Sequence, residues 1–354
     1  MKITGVKIKR VKKKLIKPFK IAAGVSYYSN QIIVKVETDE GIYGLGAAGP
    51  SPRVTGETIE TCMEMIKYFG EQLEGQNPLD IEMCNFIMNK VGRNTSAKAA
   101  IDIALHDILG KKAGLPLYKL LGGFGNTVES DITISVDEPA VMVEDAKKLV
   151  AKGIKILKVK VGLGMENDIE RIRKIREAVG DDIIIRLDAN QGWTVKEAIE
   201  GINRLQEFGI ESVEQPVMNW DYNGLKEIRN NITVPLMADE SIHTATDAIR
   251  LIQMDAVDII NIKLMKSGGL YEAAKINSIA EAAGKKVMIG CMNESTISLA
   301  AAAAFAAAHR NVQFADLDSD TYYADNDVVG GYERAEGTMI LSEKPGLGVE
   351  YDEI

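Results

Sequence analysis

IIIRLDAN, residues 183–190, is an apolar run that ends in a charged residue. Three stretches downstream repeat the plan: SVEQP (212–216), LMADES (236–241) and IINIK (259–263). Upstream, ILKVKV (156–161) carries Lys158 and Lys160 among apolar neighbours. From Lys160 to Asp188, Glu214, Asp239 and Lys263 the steps are 28, 26, 25 and 24 residues, each the length of one strand–helix unit. Residues placed only for solubility would not keep such a step.

Working outward, β-rich runs at 132–136, 156–161, 183–187, 211–214, 236–238, 259–263, 286–289 and 312–315 alternate with helical stretches such as 166–179 and 194–208. Each run but the last precedes a helix. Eight such runs predict an α/β fold, a (β/α)8-type (TIM-like, modified) barrel over 126–330. Residues 1–125 read as an α+β capping domain. In it 31–36 alternates as a strand, Asp39-Glu40-Gly41 turns and 42–45 returns. A helix follows over 96–112, with Ser96 as its cap and Gly114 and Pro116 as its stop. His106 within it reads as structural rather than as a ligand. The C-terminal segment 331–354 is expected to return to the capping domain.

Composition narrows the function classes. Lys and Arg total 42 against 51 Asp and Glu, a formal net charge of -9, which repels a nucleic-acid backbone. Cys62, Cys84 and Cys291 are too few and too scattered for a disulfide framework or a zinc site, and point to a reducing compartment. The basic start leads into no signal-type apolar core, and the apolar run 297–308 falls short of the ~20 residues of a membrane span. A cytoplasmic protein with no membrane partner is expected. Gly44-Leu45-Gly46-Ala47-Ala48-Gly49 satisfies G-x-G-x-x-G, but Pro50 and Pro52 follow where a nucleotide-binding helix would begin. A mobile Gly-rich loop capping a neighbouring site is the better expectation.

Side chains at the C-terminal ends of barrel strands converge on one mouth. Asp188, Glu214 and Asp239 would form a hard, all-oxygen site there, suited to Mg2+ or Mn2+. Lys158 and Lys160 share a strand face, and Lys263 lies four strands further round. A carbon acid held between Lys160 and Lys263 would lose its proton to one and regain it from the other, through an enediolate. On the last strand, Asp316 and Asp318 form an Asp-x-Asp pair whose period-2 spacing lets both clamp a cation such as a peptide α-ammonium. The alternative there is an acidic solvated loop, since Asp320, Asp325 and Asp327 lie close by.

The series KVK, LDAN, VEQP, ADES and NIKLMKSGG resembles the muconate-lactonizing-enzyme subgroup of the enolase superfamily across nearly the whole chain. SAKAAIDIALHDILGKKAGLPLYKLLGG looks like part of that family's capping domain. The resemblance implies Asp188, Glu214 and Asp239 as metal ligands, Lys160 and Lys263 as the acid/base pair, and Lys158 as a partner for the substrate carboxylate. The Asp316–Asp318 motif looks like the dipeptide epimerases, in which it holds the substrate's N-terminus. Thr133, Cys291 and Met292 occupy positions that line the substrate site in similar enzymes. The expected function is therefore Mg2+-dependent inversion of the C-terminal residue of a dipeptide by a homo-oligomeric isomerase.

Two positions depart from the pattern. Gly24 stands where alanine-glutamate epimerases of the family tend to carry an arginine, and Ala47 where many relatives have Glu. With Asp325 and Asp327 nearby, a hydrophobic or cationic C-terminal side chain is expected rather than an acidic one. A lyase of the same subgroup, of muconate cycloisomerase or o-succinylbenzoate synthase type, would keep the metal and lysines but have no use for an ammonium clamp. A non-catalytic binding protein on the same frame would need none of these groups.

Overall fold

The computed structural model describes residues 1–22 and 24–354. The chain opens with the antiparallel pair β1 (Ile3–Ile21) and β2 (Gly24–Thr38), and β3 (Tyr43–Ala48) pairs with β2 to complete a three-stranded sheet. Sequence reading finds only the buried half of β2. β1, KIKRVKKKLIKPFKI after its first turn, carries lysines on both faces, so its alternation is masked. Its length comes from an unbroken ladder with β2 from Gly5 to Lys14.

Helices α1 (Ile59–Leu73), α2 (Ile81–Met88) and α3 (Thr95–Ala113) cover this sheet. Ser96 does not cap α3. It lies inside the helix, and the Glu57 carboxylate takes the Ser96 and Ala97 amides at 2.9 and 3.2 Å. Gly114, at φ 68°, closes the other end. His106 Nδ1 rests 2.8 Å from the Asp102 carbonyl of its own helix. Asp102 in turn accepts the Leu270 amide at 2.6 Å, tying the cap to a barrel helix.

The Gly-rich segment is not the mobile loop expected. Its residues 44–48 form β3, and a Cβ on Gly44 or Gly46 would sit 1.9 Å from the carbonyl oxygens of Ala104 and Ala100. The glycines allow α3 to lie directly on the strand, a contact that no side chain would permit.

After α4 (Leu117–Leu121) and β4 (Thr127–Glu129) the barrel begins. It runs β5 (Ile132–Ile134), α5 (Pro139–Ala151), β6 (Ile156–Lys160), α6 (Met165–Val179), β7 (Ile184–Asp188), α7 (Val195–Leu205) and β8 (Ile210–Glu214). It continues with α8 (Tyr222–Asn230), β9 (Leu236–Ala238), α9 (Ala245–Gln253), β10 (Ile259–Lys263), α10 (Leu264–Ser267), α11 (Leu270–Ala282), β11 (Lys286–Gly290), α12 (Thr296–Ala308) and β12 (Val312–Asp316). All eight strands pair in parallel in sequence order. The seam between β12 and β5 is bridged by Asp131 N to Ala315 O at 3.0 Å and by Leu317 N to Ser130 Oγ at 2.8 Å. Thr194 and Thr244 start α7 and α9 with capping boxes closed by Glu197 and Asp247. Apolar faces such as Ala198, Ile202 and Leu205 then pack inward, each fully buried aliphatic side chain contributing roughly 1.5–3 kcal/mol.

The apolar run at 297–308 lies in α12, buried on every face. Among the described residues no helix is long and apolar enough to cross a membrane. Beyond β12 come β13 (Val329–Gly330), β14 (Tyr332–Ala335), β15 (Thr338–Leu341) and β16 (Val349–Glu350). β15 joins β4 to β14 in one sheet. The last residues reach the cap, where the Leu347 amide donates to Asp107 at 2.8 Å and Lys9 pairs with Glu353.

The β3–α3 contact predicts that Gly46→Ala lowers stability by about 1–3 kcal/mol, read as a lower urea midpoint. An unchanged midpoint would show that the contact can yield.

Candidate active site

Asp188 and Glu214 end β7 and β8 and Asp239 follows β9, with Asp188 beside Glu214 and Lys160 beside Asp188 in register. All are buried, as are Lys158, Lys160 and Lys263. The Lys158 ammonium lies at the centre, 3.0 Å from Asp188, 2.7 Å from Glu214 and 2.7 Å from Asp316. Lys160 pairs with Asp188 at 2.6 Å and Lys263 with Asp239 at 2.9 Å. The six residues thus form two charge clusters, Lys158 and Lys160 with Asp188 and Glu214, and Lys263 with Asp239, which Asn261 joins through Glu214 and Lys266.

Residues that sequence reading passed over hold them in place. Asn261 donates to Glu214 at 2.9 Å, and the buried Lys266 ammonium contacts Asp239. Asn261 stands two residues before Lys263, on the same strand face, so period 2 was a usable signal. Lys266 lies on α10, where strand periodicity says nothing. The Gln215 side-chain carbonyl accepts the Asp239 amide at 2.9 Å and locks the ends of β8 and β9 together. Gly290 leaves room for two of these groups, since a Cβ there would lie 2.7 Å from Asn261 Oδ1 and 3.0 Å from Lys263 Cε.

Across the barrel, Asp316 and Asp318 are buried rather than part of a solvated loop. Asp318 accepts the Thr133 amide at 2.6 Å and the Tyr322 hydroxyl. Thr133 therefore reaches the site through its backbone as a support for Asp318. Cys291 Sγ and a carboxylate oxygen each from Asp316 and Asp318 lie within 4.8 Å of one another. Met292, half-buried, follows on the same loop. Of the two acids invoked for a cationic side chain, Asp327 is bound to Lys13 at 2.7 Å, so its charge is already committed, and Asp325 is exposed. That part of the expectation loses its support.

The ionisable groups divide by environment. Burial raises Glu214, reinforced by the Asp188 charge, to about 7. Burial and Asp239 push Glu240 to about 8, and burial and Asp316 push Asp318 to about 6. Burial also opposes ionisation of Asp188 and Asp239, but it is outweighed by Lys158, Lys160 and Lys263 at Asp188, and by Lys263 and Lys266 at Asp239. Both stay below the usual carboxylate range. Lys158 and Lys263 are raised against their burial by Asp188 and Asp239 respectively.

The donor set fits a hard divalent cation. Asp188, Glu214 and Asp239 supply only oxygens, and Asn190 Oδ1, Glu240 Oε2 and Asn261 Oδ1 around them are buried acceptors with no hydrogen-bond partner among the described residues.

Known proteins share this fold. Residues 3–122 match the mandelate racemase / muconate lactonizing enzyme N-terminal domain, and residues 141–354 match the enolase C-terminal domain-like family. The chain is 47% identical over 354 residues to a hydrophobic dipeptide epimerase of Enterococcus faecalis, covering 99% of this chain and 100% of that one. It is 45% identical to an L-Ala-D/L-Glu epimerase of Clostridium acetobutylicum, covering 95% of each. It superposes with a TM-score of 0.98 on the crystal structure of the dipeptide epimerase from Enterococcus faecalis V583 complexed with Mg and the dipeptide L-Leu-L-Tyr, at 47% identity over 99% of this chain and 100% of that one.

Raised carboxyl groups set a sign for the metal-free protein. A carboxyl whose folded value lies above its unfolded one stabilises the fold at low pH and loses that contribution as pH rises through the folded value. With divalent cations chelated, the urea midpoint should fall between pH 5 and pH 8 as Asp318, Glu214 and Glu240 ionise. Added Mg2+ should restore more stability at pH 8 than at pH 5. A midpoint flat with pH would contradict these environments.

Proposed function

Because the chain belongs to the mandelate racemase / muconate lactonizing enzyme family of the enolase superfamily, we propose that this isomerase inverts the α-carbon of the C-terminal residue of a dipeptide, with Mg2+ as its metal. One observation carries the reading. Two buried lysines stand on strands four apart, each tied to a different carboxylate of the oxygen-rich cluster, while a buried Asp-x-Asp pair faces them from β12.

Asp188, Glu214 and Asp239 would hold Mg2+, with Mn2+ as a substitute. The bound ion supplies positive charge that steadies the substrate carboxylate as the α-proton leaves. Lys158 adds a second positive charge beside that carboxylate. Lys160 takes the α-proton from one face and Lys263 returns one to the other, so the configuration inverts without net consumption of acid or base. Positive charge in the site lowers Lys263 from its raised value, as a base requires. Asp316 and Asp318, steered by Lys158, Thr133 and Tyr322, hold the dipeptide's ammonium and fix its direction. Cys291 and Met292 line the same end. The C-terminal side chain is hydrophobic rather than acidic: Gly24 itself carries no side chain to hold a carboxylate, and a relative 47% identical over 99% of this chain is a hydrophobic dipeptide epimerase.

Incubation with Mg2+ and a dipeptide panel in heavy water should give a mass gain of one at the C-terminal α-carbon, together with both epimers. Absence of exchange with every dipeptide would remove the reading. Lys160→Ala and Lys263→Ala should each lower inversion by about 10²–10⁴-fold, and each single variant should still exchange one enantiomer's α-proton. Asp316→Asn should raise KM for dipeptides far more than it lowers deuterium exchange at saturation.

A further inference from the structure

Lys160 stands where its strand is losing support. On the β7 side it pairs in register with Asp188, and the next amide, that of Val161, donates to the Asp188 carbonyl at 2.9 Å. On the β5 side the ladder ends at the pair Ile134–Val159, one residue short of Lys160. The backbone that carries this ammonium therefore has a strand neighbour on one side only.

A second support comes from the helix that follows. Asp168, fully buried in the first turn of α6, reaches back to accept the Gly162 amide at 2.8 Å, two residues after Lys160. The same oxygen accepts the Trp193 indole N–H at 3.2 Å, and the other accepts the Arg171 guanidinium at 2.8 Å. Arg171 is itself fixed, since its Nε donates to the Asp137 carbonyl at 2.9 Å. An acid that serves only the helix dipole needs no burial, and Glu166 in the same turn is exposed. Burying a carboxylate is costly unless every oxygen finds donors, so Asp168 is committed to this junction. The Trp193 turn keeps its own hold on β8, through Gln191 N to the Gln215 carbonyl at 2.8 Å and Trp193 N to the Pro216 carbonyl at 3.0 Å. Of the segments Asp168 joins, the one that depends on it most is the turn behind Lys160.

Lys263 is secured differently. It pairs with Gly290 on one side, its ladder to β9 ends at Ile260–Ala238, and Lys266 of α10 fastens the turn by donating to Asp239 and, at 3.2 Å, to the Asn261 carbonyl. Lys266 thus acts through a carboxylate of the charged centre. The three partners of Asp168 all lie outside that centre, so one lysine can be disturbed without the other.

We propose that Asp168 is a positioning residue for Lys160 and not for Lys263, setting proton transfer on one face of the reacting carbon. This rests on the dipeptide reading and deepens it. Each face needs its own lysine in place, and an error of about 1 Å costs on the order of 10²-fold.

The test follows loss of the α-proton in heavy water separately from L-Leu-L-Tyr and L-Leu-D-Tyr, at saturating Mg2+, in the parent, Lys160→Ala, Asp168→Ala and Asp168→Asn. Lys160→Ala identifies the epimer that Lys160 serves. Asp168→Ala should slow exchange from that epimer by roughly 10²-fold and leave the other epimer unchanged. Asp168→Asn keeps an oxygen for Gly162 but must turn an N–H toward one of three donors, and should slow the same epimer about threefold. Should Asp168→Ala fail to fold, the ratio of the two epimers in Asp168→Asn decides. Equal loss from both epimers would make Asp168 a support of the fold or of the metal ligands, and no loss would make it idle. Either result overturns the assignment while the dipeptide reading stands. If the parent exchanges no dipeptide, both fall together.

Discussion

One ammonium group, that of Lys158, is buried beneath the barrel mouth and touched by carboxylates from three strands, β7, β8 and β12. Like-charged carboxylates this close cannot all stay ionised in a low-dielectric interior without a cation among them. Lys158 supplies part of that charge permanently, and the orphaned acceptors of Asn190, Glu240 and Asn261 mark where more is wanted. The scaffold is therefore not neutral packing with a site added. Strand register, the Gln215 clamp and the glycine at 290 all serve to hold a charge arrangement that would otherwise disperse.

The barrel and its charged centre were legible in the sequence because the fold imposes its own step on the residues that end each strand. Lys160, Asp188, Glu214, Asp239 and Lys263 kept that step and came together. Asn261 was within reach of the same argument. Lys266 was not, since it reaches Asp239 from a single helical turn, and Tyr322 acts from a 3-10 turn too short to show a period. In the cap, β1 was hidden by lysines on both faces, and Gly44 and Gly46 suggested mobility where they secure close packing. Sequence pattern reports which faces are buried and not how near two backbones lie.

Position 24 shows the same limit from another side. As a letter in the chain it signals a missing arginine. In three dimensions the guanidinium of Arg53, from the turn after β3, lies against the position a Cβ of Gly24 would take. A comparison made column by column would treat residues 24 and 53 as separate facts, whereas in the fold they are neighbours.

The β1–β2 hairpin rests on chain that is made much later. Leu15 bridges to Tyr323, Lys13 binds Asp327 and Lys9 binds Glu353. Contacts spanning nearly the whole sequence are slow to form, because loop closure must precede any gain from them. During synthesis the hairpin waits with its lysines in solvent, and their mutual repulsion discourages it from pairing with a neighbouring nascent chain. The hairpin settles over the mouth only once residues 323–353 have been made, so a product truncated before them would carry Asp188, Glu214 and Asp239 but leave them open to water.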